Sequence, residues 1–202
     1  MEFLDRGVPC GYFCFMRYEN AIIDFSSPAI QERRKLPEGT ISEIINGQLY
    51  VWKSSPSYLH HEIVKELLTD LLPYVKAHDL GKVCFAPFDV YFDREKTVLV
   101  PDISFTSHEN ERVILDHHGL VGAPDLIIEV LSPTTRRRDM TVKKRVYESA
   151  GVKEYWIIDP ETQDCWGYLL HNNRYDEPLM MHLKIHIRVL DLKINISPLL
   201  FS

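Results

Sequence analysis

Long apolar runs are missing from this 202-residue sequence: Leu126 to Leu131 is interrupted by Glu129 and is far shorter than the roughly 20 residues that span a bilayer. No membrane span is expected. The first residues mix Glu2, Asp5 and Arg6 with aromatic side chains instead of placing a basic segment ahead of an apolar core, so they do not read as a secretory signal and a cytoplasmic location is expected. Cysteine is scarce. Cys10, Cys14, Cys84 and Cys165 lack metal-ribbon spacing, and a chain of this size does not depend on disulfide staples, so free thiols are expected. The adjacent pairs His60-His61 and His117-His118 point their side chains apart on any regular element and do not make a zinc site. A glycine-rich phosphate loop and a nucleophile elbow are absent as well. So is an excess of positive charge: the formal net charge is −6, which argues against a general polyanion binder because phosphate affinity comes from clustered Lys and Arg.

What is present is ordinary globular composition, 45% hydrophobic and 26% charged, enough to bury one sizeable core. The cations are unevenly spread: Arg136-Arg137-Arg138 and Lys143-Lys144-Arg145 place six within ten residues, a local basic patch in an acidic chain. Residues 1 to 35 show no clear period and end in Glu32-Arg33-Arg34-Lys35, which reads as an N-terminal extension ahead of a single domain over residues 36 to 202.

Asn46-Gly47 between two strand-like segments predicts a β-hairpin over residues 41 to 52. Ser57 can cap a helix in which Leu59, Ile63, Leu67 and Leu71 recur every fourth residue, and Pro73 is expected to kink or end it. Strands are expected at Val83 to Phe85, Asp89 to Phe92, Thr97 to Val100 and Ile103 to Phe105, then a loop over 107 to 119 and a central strand at Leu126 to Leu131. A second helix is expected over 139 to 150, with Asp139 near its N-terminus, Val142, Val146 and Ala150 on one face, and Gly151 at its stop. Tyr155 to Ile158 reads as another buried strand, followed by a turn at Asp159-Pro160, a hairpin around His171 to Arg174 and further strands through Ile196.

The chemistry starts from Glu129. A carboxylate inside an apolar strand costs several kcal/mol unless it is paired, protonated or bound to a cation. Asp102, behind Pro101 at the start of a strand, is a second acid 27 residues earlier, and two carboxylates on adjacent strands can hold one Mg²⁺. Lys143, in the following helix, can turn back toward the sheet to activate water or stabilise charge on a phosphate. Asp125 lies on the same strand face as Glu129 but about 13 Å away at strand rise, too far to share one ion. The plainer alternatives are a turn role for Asp102, a buried ion pair for Glu129, a loop-capping role for Asp125 and an exposed helix face for Lys143. Arg136 to Arg138 are equally compatible with a solvated loop or a DNA contact. Tyr147 and Trp156 read as core aromatics.

The segments Val100-Pro101-Asp102-Ile103-Ser104-Phe105, Ala123 to Pro133 and Gly151 to Pro160 resemble, in order and spacing, those of the Uma-type putative restriction endonuclease family of the PD-(D/E)XK superfamily. The resemblance covers roughly residues 36 to 197. It implies an α/β (α+β) restriction-endonuclease-like fold, a mixed β-sheet core flanked by helices with N-terminal and C-terminal hairpins. Asp102 matches the superfamily's metal-binding Asp and Glu129 the acid of its D/E-x-K element, while Leu131 stands where the lysine is expected. The resemblance implies that the lysine has moved to the next helix, as Lys143. Glu43 and His60 match family positions and, with Asp125, are possible supporting residues.

The expectation is therefore a Mg²⁺-dependent endonuclease, Mn²⁺ substituting, in which Asp102 and Glu129 bind the cation and Lys143 assists hydrolysis of a DNA phosphodiester. Arg136, Arg137, Arg138 and Lys144 are candidate DNA contacts. Cutting both strands needs two sites, so a homodimer is expected. Two alternatives stay open: a catalytically inactive binding or interaction module on the same fold, and an enzyme acting on a smaller phosphoester.

Overall fold

The computed structural model describes residues 17–18, 21–22, 26–51, 57–92, 96–115 and 119–197. Cys10, Cys14, His117 and His118 lie outside the described residues; Cys84 and Cys165 are free thiols. In chain order the elements begin with β1 (Arg17–Tyr18), β2 (Ala21–Ile22), α1 (Pro28–Arg33), β3 (Ser42–Ile45), β4 (Gln48–Val51), α2 (Tyr58–Ala77) and β5 (Gly81–Phe85). There follow β6 (Val90–Phe92), β7 (Thr97–Leu99), β8 (Ile103–Ser107), β9 (Ile114–Leu115), β10 (Gly119–Val121) and β11 (Leu126–Val130). A helical segment joins α3 (Arg136–Arg138), a π turn (Asp139–Lys143) and α4 (Lys144–Ala150). Six strands complete the chain: β12 (Glu154–Ile158), β13 (Asp164–His171), β14 (Arg174–Tyr175), β15 (Leu179–His182), β16 (Lys184–Ile187) and β17 (Leu192–Asn195).

The central sheet is seven-stranded and mixed, ordered β14-β13-β12-β11-β8-β5, with β15 also paired to β13 along the edge opposite β12. Strand β11 runs parallel to β12 and antiparallel to β8. A parallel neighbour needs a crossover, which the α3–α4 segment supplies, and burial on both faces explains the near-continuous Leu-Ile-Ile-Glu-Val run. On one face Leu126, Ile128 and Val130 pack with Ile63, Leu67 and Leu71 of α2. On the other, Ile127 and Leu131 pack with Tyr147 and with Ile45, Val90, Phe92 and Leu99 from a six-stranded sheet ordered β4-β3-β7-β6-β10-β9. The alternation of β11 thereby aims Glu129 at the face covered by α4.

The hairpins follow local chemistry. Asn46 and Gly47 both adopt positive φ, 51° and 77°, as a two-residue turn matched to strand twist requires, and Asn172 and Asn173 repeat the device between β13 and β14. In α2 the Ser57 side chain accepts the His60 N–H, and the buried face Ile63, Leu67, Leu71, Val75 keeps its four-residue spacing. Pro73 does not end the helix. It sits on the exposed face, and burial of Leu71 and Val75 on either side outweighs one missing hydrogen bond, so the helix continues to Ala77. The segment 107 to 119 is not a plain loop: it holds a 3₁₀ stretch over His108–Val113 and the short β9.

Two further differences bear on the site. Helix α1, within the expected extension, packs Ala29 and Ile30 against Ile44, Tyr91 and Val98, and Arg33 makes a bidentate pair with Asp89 at 2.6 and 2.8 Å. The second helix begins at Arg136, and its buried face is Asp139, Lys143, Tyr147, because a π turn shifts the register; Val142 is 38% exposed and with Val146 and Ala150 lines an open cleft of 710 Å³. No described helix is long and apolar enough to cross a membrane.

Candidate functional site

Lys143 is buried with only 4% of its side chain exposed, and its ammonium meets three carboxylates: Glu43 Oε1 at 2.9 Å, Glu129 Oε1 at 2.9 Å and Asp139 Oδ1 at 3.3 Å. These groups come from β3, β11 and the π turn. Tyr147, one turn beyond Lys143, donates its hydroxyl to the same Glu129 Oε1 at 2.7 Å, and the Val100 N–H donates to Glu43 Oε1 at 3.1 Å. Asp102 stands one residue ahead of β8, beside the end of β11; its Oδ2 accepts the Val130 N–H at 2.7 Å and contacts His60 Nε2 at 3.1 Å. Sequence reasoning treated Asp139 as a helix-terminal residue. Its spacing of four before Lys143 was the available signal, and only the buried face of the helix turns that spacing into a contact.

A pattern runs through the acids. On Glu43, Glu129 and Asp102 the donors from the described residues all fall on one oxygen, Oε1, Oε1 and Oδ2 respectively, leaving the second oxygen of each without a hydrogen bond among those residues. Glu43 Oε2 is itself buried and unpartnered.

The electrostatics agree with the geometry. Burial pushes the Glu129 carboxyl well above its ordinary value; Lys143 opposes that, while Asp139, Asp102 and Glu43 add to it. Asp139 is raised too, by burial first, against the pull of Lys143. Burial would lower Lys143, but Glu129, Glu43 and Asp139 outweigh it and hold the ammonium charged. An acid and its cationic partner both rise because three carboxylates share one ammonium, with Asp102 adding its charge to Glu129. The cluster is short of positive charge, and a proton or a further cation relieves it.

That shortage is the test of fit for a metal. Among the described residues no group of three or more His, Cys, Asp or Glu side chains is arranged to hold an ion. Asp102 and Glu129 each present an uncommitted oxygen, a hard donor pair of the kind that suits Mg²⁺, with the other positions left to water and substrate. The superfamily's usual lysine position carries Leu131, 3% exposed and packed in the Tyr147 core.

The remaining sequence candidates are placed elsewhere or engaged. Asp125 lies at the opposite end of β11, where it accepts the Ser107 N–H at 2.7 Å and the Asn110 amide at 2.9 Å and pairs with Lys153 at 2.7 Å. Burial would raise its carboxyl, but Lys153 and Ser107 outweigh burial and lower it. Arg136 binds the buried Asp159 at 2.6 Å. The Arg138 guanidinium lies 4.9 Å from the Tyr50 ring centroid and Lys144 Nζ 4.0 Å from that of Tyr168, while Arg137 is exposed.

No curated protein matches the sequence significantly. Among solved structures, a crystal structure described as a putative nuclease belonging to DUF820, from Anabaena variabilis, shares 23% identity with a TM-score of 0.67, covering 85% of this chain and 96% of that one. At that identity the likeness shows the fold, a nuclease-type mixed sheet with flanking helices. The sequence also matches the Uma2 family, described as putative restriction endonuclease, over residues 30–192, and on that match across most of its length the chain belongs to the Uma2 family.

Proposed function

We propose that the protein is a divalent-cation-dependent endonuclease that hydrolyses DNA phosphodiester bonds, acting in the cytoplasm. The observation that carries this reading is the buried cluster at the end of β11, in which Lys143 is shared by Glu43, Glu129 and Asp139 beside Asp102. Asp102 and Glu129 would hold Mg²⁺, with Mn²⁺ able to replace it. The chemistry such a cation supplies when bound is Lewis-acid charge on the phosphate and an acidified water. Lys143, held protonated by its carboxylates, suits stabilisation of negative charge in the transition state better than a role as base. His60 and Glu43 support the acids by fixing Asp102 and Lys143. Arg137, exposed beside this region, is the candidate for a backbone phosphate contact.

One observation favours an inactive binding module instead: all three ammonium contacts of Lys143 are carboxylates of the chain itself, which makes the cluster partly self-compensating. The two readings separate in one experiment. Supercoiled plasmid and single-stranded DNA are incubated with Mg²⁺ or Mn²⁺ and the wild type, Glu129→Ala or Lys143→Ala. Cation-dependent cleavage by the wild type, lost in both variants, is expected. Absence of wild-type cleavage with either metal, while DNA binding persists, would establish the binding module.

A further inference from the structure

Tyr147 reads in the sequence as one more core aromatic, and its ring is that: fully buried, 4.9 Å from the Tyr155 ring centroid and 5.7 Å from that of Phe92. Its hydroxyl is not explained by packing. A phenol placed among aromatic rings needs a polar partner, and this one reaches past them to Glu129 Oε1 at 2.7 Å. Lys143 already occupies that oxygen at 2.9 Å, so two donors converge on Oε1 and none among the described residues falls on Oε2. A carboxylate held by two donors on one oxygen has a fixed torsion, and its second oxygen has a fixed direction.

We infer that Tyr147 is a positioning residue that locks the Glu129 carboxylate so that Oε2 is presented for a divalent cation. This rests on the cation-dependent reading of the site. The hydroxyl touches neither substrate nor cation; it acts through Glu129, as the outer partners of metal ligands do. Tyr155 completes the arrangement by donating its hydroxyl to the Asp139 carbonyl at 3.1 Å, which pins the π turn carrying Lys143.

The test compares the wild type, Tyr147→Phe and Phe92→Leu. Tyr147→Phe keeps the ring and removes only the hydroxyl; Phe92→Leu loosens the same aromatic packing and leaves the hydroxyl in place. Mn²⁺ binding is measured by calorimetry without DNA, and cleavage is measured against Mn²⁺ concentration. Loss of an outer partner weakens metal affinity by about 10- to 100-fold, so Tyr147→Phe is expected to bind Mn²⁺ at least 10-fold more weakly and to need correspondingly more Mn²⁺ for cleavage. Its KM for DNA is expected to stay unchanged. Phe92→Leu is expected to melt earlier yet bind Mn²⁺ within about twofold of the wild type. Equal Mn²⁺ affinity in Tyr147→Phe and wild type would overturn the inference while leaving the nuclease reading standing. Unfolding of Tyr147→Phe with a folded Phe92→Leu would assign the hydroxyl to stability and overturn it as well. A wild type that takes up no Mn²⁺ would overturn the cation-dependent reading itself, and the inference with it.

Discussion

An ammonium surrounded by carboxylates in a desolvated pocket is stable only while the charges remain matched, and Lys143 carries that requirement here. Replacing it by Met keeps much of the stem but leaves Glu43, Glu129 and Asp139 without their shared counter-ion. Removing one partner of a buried pair costs on the order of 3–5 kcal/mol, and a loss of that size is expected for Lys143→Met in urea titrations near neutral pH. The pH dependence has a definite sign. Glu129 is raised in the folded state above its ordinary 4.5, so the folded protein binds this proton more tightly than the unfolded chain, and stability falls as pH rises above about that value. Lys143 is raised above 10.5, so its contribution is complete below that pH and is lost only as pH climbs through the folded value. With the ammonium gone, Glu129 rises further. The deficit of Lys143→Met should therefore shrink between pH 8 and pH 5, and a deficit that is constant with pH would refute the shared-charge account.

At the scale of elements, strand β11 and the π turn do the placing. Strand alternation puts Glu129 on the α4 face, and the extra residue of the π turn brings Asp139, Lys143 and Tyr147 onto one buried line. The sheet is held in register by close approaches as well as by hydrogen bonds. Gly167 on β13 faces Trp156 on β12, and a Cβ added there would lie 2.5 Å from the indole ring. That indole cannot swing aside freely, because its Nε1 donates to Glu154 Oε1 at 2.6 Å and Glu154 in turn accepts the N–H groups of Arg188 and Val189. Gly167→Ala is expected to destabilise the protein by about 1–3 kcal/mol, the usual penalty of overpacking, measured as an earlier melting transition. An unchanged transition would mean that β12 and β13 separate more easily than the side-chain contacts imply. Arg136 serves this level too: its pair with Asp159 ties α3 to the end of β12, beside the candidate site.

For the whole molecule the prediction concerns assembly. Each chain carries one candidate site, and a two-fold pair of sites is the economical way to cut both strands of a duplex. Sedimentation should then report a species of twice the 23.6 kDa chain mass, and plasmid should pass to linear form with little nicked intermediate. A monomer that accumulates nicked circles would exclude the dimeric arrangement. The −6 net charge limits nonspecific attraction to DNA, so binding should weaken sharply with added salt only if a focused basic surface is engaged.

The sequence by itself determined what depends on neighbours along the chain. The Asn46-Gly47 hairpin follows from two residues that tolerate positive φ, α2 from a Ser57 cap and a four-residue period, and β11 from an apolar run with one carboxylate too costly to leave alone. Short words in order were enough to expose the fold family. What depends on long-range register was decided only in three dimensions. Glu43 reaches Lys143 because β3 lies in the sheet layered over the α4 face of β11, and Asp125 is drawn to the far end of that strand by Lys153 and Ser107. Pro73 was absorbed because the apolar face of α2 continues past it, and Asp139 and Tyr147 joined the cluster because a π turn reset the helix face. Backbone preference and period act over a few residues, whereas the choice of which oxygen of which carboxylate is left open is made by donors that only the folded packing brings together.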